Sequence, residues 1–211
     1  MQGLSSLLLW FVPFIFSLSF HESAHAFTAN RFGDPTARFM GRMTLNPLAH
    51  IDWIGTILFP LISFFTGAPL IGWARPVPVN ERNLRHPRRD GILVAAAGPV
   101  SNLFLALVFT GLVFVLNRFS TTAFVYEPLM RMAQIGILLN LILAVFNLIP
   151  LPPLDGGRVF FSLFPMAPNR MFWLERYGFI LLLVLFMTPI LRIAIFYPTQ
   201  VLFMYLLKMA A

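Results

Sequence analysis

The sequence has no cysteine, so neither a disulfide framework nor a thiolate metal site is available to it. Charge is scarce: 11% of its 211 residues are Asp, Glu, Lys or Arg, against about 25% in a soluble domain. With 58% of residues hydrophobic, that scarcity excludes an ordinary soluble fold and leaves a polytopic membrane protein. There is no internal repeat and no low-complexity linker, so residues 1–211 read as one membrane domain without room for a sizeable soluble module. Negative charge is scarcest of all, with eight acids against 15 basic residues and a net charge of +7. In a soluble chain that excess would suggest nucleic acid. Here the arginines fall in short loops beside apolar runs, where positive-inside topology and contact with anionic lipid account for them. No nucleic-acid partner is expected. Residues 1–20 lack a basic start and a cleavage site, so they read as a retained helix rather than a signal peptide.

What is present is a series of apolar runs divided by proline, glycine and arginine. The first extends from about Leu4 to Arg31 and ends at Gly33-Asp34-Pro35. Residues 36–50 are short and mixed, without helical periodicity, and predict one or two short strands. Residues 53–72 are apolar but broken by Pro60, Gly67 and Pro69. Arginines flank this segment on both sides, which places both of its ends in the cytoplasm and predicts a re-entrant hairpin. Residues 73–80 read as extended, because Pro76 and Pro78 fix φ and bias their predecessors away from helix. Two uncharged runs, Gly91 to Asn117 and Met132 to Leu154, predict membrane helices. Residues 177–191 and 193–207 are shorter apolar stretches with Thr188-Pro189 at the turn between them. The expectation is an all-α bundle of five or six transmembrane helices with a small membrane-associated β element. Its core covers about 4–160 and its C-terminal helices about 173–208.

The first run ends in His21-Glu22-Ser23-Ala24-His25, an HExxH zinc-hydrolase signature. On a helix, residues four apart share a face, so both imidazoles can reach one metal ion. Glu22 lies about 100° further round and suits the role of general base toward a water. Ionisable groups at membrane depth are costly, so their presence is itself a functional hypothesis. Catalytic zinc normally takes three protein ligands. Of the eight acids, Asp34, Asp52, Glu81, Asp90, Glu127 and Glu175 fall at segment edges or in loops. Glu22 and Asp155 lie within or against apolar helices. A dication with two neutral imidazoles, Asp155 and Glu22 sums to zero charge, and burying that set costs far less than burying its members separately. Asp155 is therefore the expected third ligand, with one zinc per chain. Another divalent metal would fit the same donors.

HExxH on a membrane helix, Gly98-Pro99-x-x-Asn102, and Asn147-x-x-Pro150-x-Pro152-x-Leu154-Asp155-Gly156 together resemble the site-2 protease family of intramembrane zinc metalloproteases. Residues 72–80 (GWARPVPVN) resemble its compact prokaryotic branch, which lacks PDZ and CBS domains. The resemblance covers roughly residues 17–160. It implies His21, His25 and Asp155 as zinc ligands, Glu22 as catalytic base, and Asn147 as a residue that holds substrate or stabilises the oxyanion. It also implies cleavage of peptide bonds in or near transmembrane segments. The substrates implied are single-span proteins such as anti-sigma factors, or leftover signal peptides. The membrane implied is the prokaryotic cytoplasmic membrane, with the active site nearer the cytoplasm.

Other readings stand beside this one. His50 and His86 are alternative ligands, or histidines of connecting loops. Asp155-Gly156 by itself is also a turn signal. Asn147 and Asn102 can cross-link helices by hydrogen bonds, and Gly98-Pro99 favours close helix packing or a kink. Ser17, Ser19, Ser23 and Asn140 are candidates for a polar water path. The rival functions are a metal-binding transporter or channel and an inactive protease-like chaperone. Nothing in the sequence fixes the oligomeric state.

Overall fold

The computed structural model describes residues 2–67, 72–118 and 125–211, and all regular structure within them is helical. Helix α1 (Gln2–Arg31) is followed by the single turn α2 (Thr36–Phe39). A π-helical turn, Trp53–Leu58, runs into α3 (Phe59–Thr66). Then come α4 (Pro87–Arg118), α5 (Tyr126–Asn147), α6 (Asp155–Leu163), α7 (Pro168–Phe186) and α8 (Pro189–Ala210).

Among the described residues, four helices are long and apolar enough to cross a membrane: Ser5–Arg31 of α1, then α4, α5 and α8. Of the five or six expected, α7 falls short because Arg170, Glu175 and Arg176 interrupt its 19 residues. The turn expected at Thr188-Pro189 does separate α7 from α8. Residues 53–66 are 14 residues of helix, about 21 Å at 1.5 Å per residue, shorter than a bilayer core. Asp52 starts this helix by accepting from the Ile54 and Gly55 N–H groups, and Gly67 ends it at φ 70°. The rest of the expected hairpin, residues 68–71 with Pro69, lies outside the described residues.

Helices α1, α4 and α5 pack against one another, and α8 packs on α4 and α5. Ala106 and Val113 of α4, Ala133, Ile137 and Leu141 of α5, and Leu206 and Ala210 of α8 form one buried cluster. Gly136 lets the Phe109 ring lie directly on α5, where a methyl group would overlap it. The opposite face of α4 exposes Val100, Phe104, Leu107 and Val108, the pattern of a helix facing lipid.

The expected β element is absent among the described residues. Residues 72–80 form no regular structure, and four of their N–H groups go singly to separate elements. The Trp73 N–H reaches the Gly55 carbonyl at 3.1 Å and the Arg75 N–H the His50 carbonyl at 2.8 Å. The Val77 N–H reaches Glu22 at 2.9 Å and the Asn80 N–H reaches Asp34 at 2.7 Å. Pro76 and Pro78 have no N–H, so no partner strand can complete a ladder on the other side. Residues 36–39 are helical instead of extended, and just before them Asp34 accepts from the Thr36 N–H at 3.1 Å.

Candidate metal centre

Residues 94, 98 and 102 of α4 are spaced by four and form one stripe against residues 25, 21 and 17 of α1. The His25 Nδ1–H donates to the Val94 carbonyl at 2.7 Å. The His21 Nδ1–H donates to Asn102 Oδ1 at 2.6 Å. Between them, Gly98 has no side chain, and a methyl group there would overlap both imidazoles. Close packing, one of the roles expected for Gly98-Pro99, is thus packing of the HExxH face itself.

With both Nδ1 atoms protonated, both Nε2 atoms carry lone pairs. They stand 3.1 Å apart. Asp155 Oδ2 closes the triangle, 3.2 Å from His21 Nε2 and 3.3 Å from His25 Nε2. This oxygen is buried and has no hydrogen-bond partner among the described residues. Three acceptors facing one point with no proton between them repel one another, and a cation removes the repulsion. Ligand atoms around a tetrahedral metal with bonds of about 2.0 Å are separated by about 3.3 Å, so the edges observed fit such an ion. His21, His25 and Asp155 are the metal-holding group found among the described residues.

Asp155 reaches this point because α6 starts there. Gly156 and Gly157 follow it, and a methyl group on either would strike the backbone of 148–152. Neither glycine has a positive φ. Asp155-Gly156 is therefore the tightly packed start of a helix rather than a turn.

Glu22 sits on the same turn of α1, half-buried, with Oε2 accepting from the Val77 N–H. Arg42 braces the same stretch by donating to the Pro76 carbonyl at 2.9 Å. Residues 76 and 77 thus hold the Glu22 carboxylate on the turn that carries the imidazole pair. Asn147 closes α5, and its Nδ2 donates back to the Leu143 carbonyl at 3.0 Å.

The other candidates fall elsewhere. His50 is buried away from the triangle, with Nε2–H donating to the Thr44 carbonyl at 2.8 Å. His86 lies in the loop before α4, where its N–H donates to Asp90 at 2.8 Å. The serines expected to line a water path are closed on the protein. Ser19 donates to the Ile15 carbonyl at 2.8 Å, and Ser23 lies between the Ser19 and Thr44 carbonyls. Ser17 and Asn140 bond to each other at 2.8 Å, fully buried. Sequence reasoning missed the supporting roles of Val94 and Val77, and it read Gly98 as a packing residue without tying it to the histidines. The spacing of four from Val94 to Asn102 was the available signal. A backbone donor or acceptor leaves none.

The fold and this site define a membrane-embedded protein of the HExxH metal-site class. A family comparison agrees: residues 9–187 match the model of Peptidase family M50, and the chain belongs to that family, the site-2 protease family. It is similar to a Bacillus subtilis (strain 168) protein named "Putative zinc metalloprotease YwhC", with 46% identity over 182 residues, 85% of this chain and 80% of the relative. It is also similar to two proteins named "Putative zinc metalloprotease Rip2". The one from Mycolicibacterium smegmatis is 33% identical over 183 residues, 84% of this chain and 66% of the relative. The one from Mycobacterium tuberculosis H37Rv is 30% identical over 181 residues, 83% of this chain and 65% of the relative. The chain thus spans about two thirds of the mycobacterial proteins. No solved structure matches it.

Proposed function

We infer that the protein is a zinc-dependent intramembrane endopeptidase that cuts membrane proteins in or near their transmembrane segments. The observation that carries this reading is the triangle of unprotonated donors, two imidazole nitrogens and one carboxylate oxygen, with Glu22 one residue along the helix. A metal store or conduit has no need of a base held in that position.

His21, His25 and Asp155 would hold the zinc. Bound there, it supplies Lewis acidity toward a scissile carbonyl. Glu22 takes a proton from the attacking water and returns it to the leaving amine. The Val77 N–H holds Glu22 Oε2, so the base does not swing toward solvent between these steps. Asn147 spends one N–H on Leu143, and by the family resemblance its second N–H would serve the developing oxyanion.

The site lies toward the arginine-rich end of the bundle. Arg31 ends α1, and Arg88 and Arg89 lie in the first turn of α4. Positive charge marks the cytoplasmic side, so the reading places the site nearer the cytoplasm of a prokaryotic inner membrane. Its partners are the lipid bilayer and single-span substrates.

The test uses detergent-purified protein supplied with zinc and a tagged single-span peptide carrying helix-breaking residues at mid-membrane. Wild type is expected to bind about one zinc per chain and to cleave the peptide. Glu22→Gln is expected to keep the zinc and lose cleavage by about a hundredfold or more. Absence of zinc binding in folded wild type, or cleavage by Glu22→Gln at the wild-type rate, would overturn the reading.

A further inference from the structure

Histidine binds a metal through one nitrogen, and which one is free depends on the hydrogen bond made by the other. For His25 the choice is settled in one step, because the Val94 carbonyl can only accept. For His21 the partner is an amide, and an amide can turn either face to the ring. If Asn102 presented its NH2 group, Nδ1 would keep its lone pair, the proton would move to Nε2, and the metal position would be lost.

Three further bonds decide how Asn102 is turned. Asn140 Nδ2 lies 2.8 Å from the Gly136 carbonyl, which can only accept, so the NH2 of Asn140 must face it. The same NH2 donates to Ser17 Oγ at 2.8 Å. Asn140 Oδ1 therefore faces Asn102, and Asn102 Nδ2 donates to it at 2.8 Å. Asn102 Nδ2 also lies 3.5 Å from the Ser17 carbonyl, a second acceptor on the same side. What remains for His21 is Asn102 Oδ1, an acceptor. Asn102, Asn140 and Ser17 are each 0% exposed, so water cannot substitute for a misplaced partner.

We propose that Asn140 is a positioning residue for the metal site. It acts through Asn102 to hold His21 as the Nδ1–H tautomer with Nε2 free for the metal. This rests on the metal-site reading above. Asn140 touches neither imidazole, and its effect crosses from α5 through α4 to α1.

The test exploits a difference between an amide and a carboxylate. An amide can be turned the wrong way, whereas a carboxylate accepts from both sides. Zinc affinity is measured by competition with a chromogenic chelator on detergent-solubilised protein, and the thermal midpoint of the zinc-free protein is followed in parallel. Asn140→Leu is expected to weaken zinc binding by about ten- to a hundredfold, the usual effect of losing a partner behind a metal-binding histidine. Asn102→Leu should do the same. In an Asn102→Asp background, Asn140→Leu should cost no affinity, because the acceptor for His21 no longer depends on orientation. A purely structural role for Asn140 would weaken zinc equally in both backgrounds, and that result would overturn the proposal. So would wild-type affinity in Asn140→Leu. Failure of wild type to bind zinc would instead sink the metal-site reading itself. If Asn140→Leu does not fold, Asn140→Ala and the same pair of backgrounds give the comparison.

Discussion

Asp34 and Asp155 are both carboxylates taken largely out of water, and their surroundings are opposite in kind. Asp34 is 0% exposed and surrounded by donors: the Thr36 N–H and hydroxyl, the Asn80 N–H and the Asn83 amide. It ties the loop after α1 to the turn that precedes α4. Asp155 points its buried oxygen at two imidazole nitrogens that carry lone pairs. Burial therefore does not distinguish a structural carboxylate from a ligand. The sign of what faces it does. A carboxylate among donors is finished by the fold, whereas one among acceptors is finished by a cation.

The sharpest way to break this contrast is to neutralise each carboxylate in turn. Asp155→Asn should reduce zinc affinity by more than the roughly ten- to hundredfold typical of losing a ligand's supporting partner. It should leave the thermal midpoint of the zinc-free protein unchanged or raised, because one acceptor has left a crowded point. A lowered zinc-free midpoint would mean that Asp155 is structural, like Asp34.

Gly98→Ala attacks the same point from α4. Overpacking of this kind costs about 1–3 kcal/mol, and it should register in zinc affinity, since the methyl group meets the imidazoles. Unchanged affinity would show that the imidazole face has room to spare.

Asp34→Asn should do the reverse of Asp155→Asn. It turns donors against a donor, at a cost of about 3 kcal/mol in thermal or denaturant stability. Zinc stoichiometry should stay at the wild-type value, and its loss would join the two regions into one unit.

The smallest effect is a pH dependence. Burial raises the Asp34 pKa, but the bonds from Thr36, Asn83 and Asn80 outweigh burial and hold it below the ordinary carboxylate value. A lowered pKa in the folded state means that the stabilisation is complete above the unfolded value, about 3.9. It is lost as pH falls from there toward the folded value. The stability gap between wild type and Asp34→Asn should therefore narrow as pH is lowered through the carboxylate range. A constant gap would show that the charge of Asp34 contributes nothing.

Much of the site was legible because it is local or because charge is so rare. His21 and His25 are paired by helical spacing alone. Asp155 stood out as one of two acids lying within or against the apolar helices, although Asp155-Gly156 also read as a turn. No β element forms among the described residues, because the N–H groups of Trp73, Arg75, Val77 and Asn80 go to four different long-range partners rather than to one strand. Asp34 was read as a loop residue, since nothing local reveals that residues 80 and 83 return to it. Among the described residues, α7 does not join the four candidate spans, because it combines an apolar second half with a charged first half.

Residue order and composition were enough to place this chain in a membrane, to make its regular structure mainly helical, and to put a paired-histidine motif beside a carboxylate on one helix. Those properties follow from composition and from the 3.6-residue period, which act within a segment. Which nitrogen of each histidine is free, what holds Glu22, why position 98 has no side chain, and which buried carboxylate lacks donors came from the packing of the helices. Each of these depends on a hydrogen bond or a contact between helices far apart in the chain. Their partners are often backbone groups, which every residue possesses and no sequence pattern can single out.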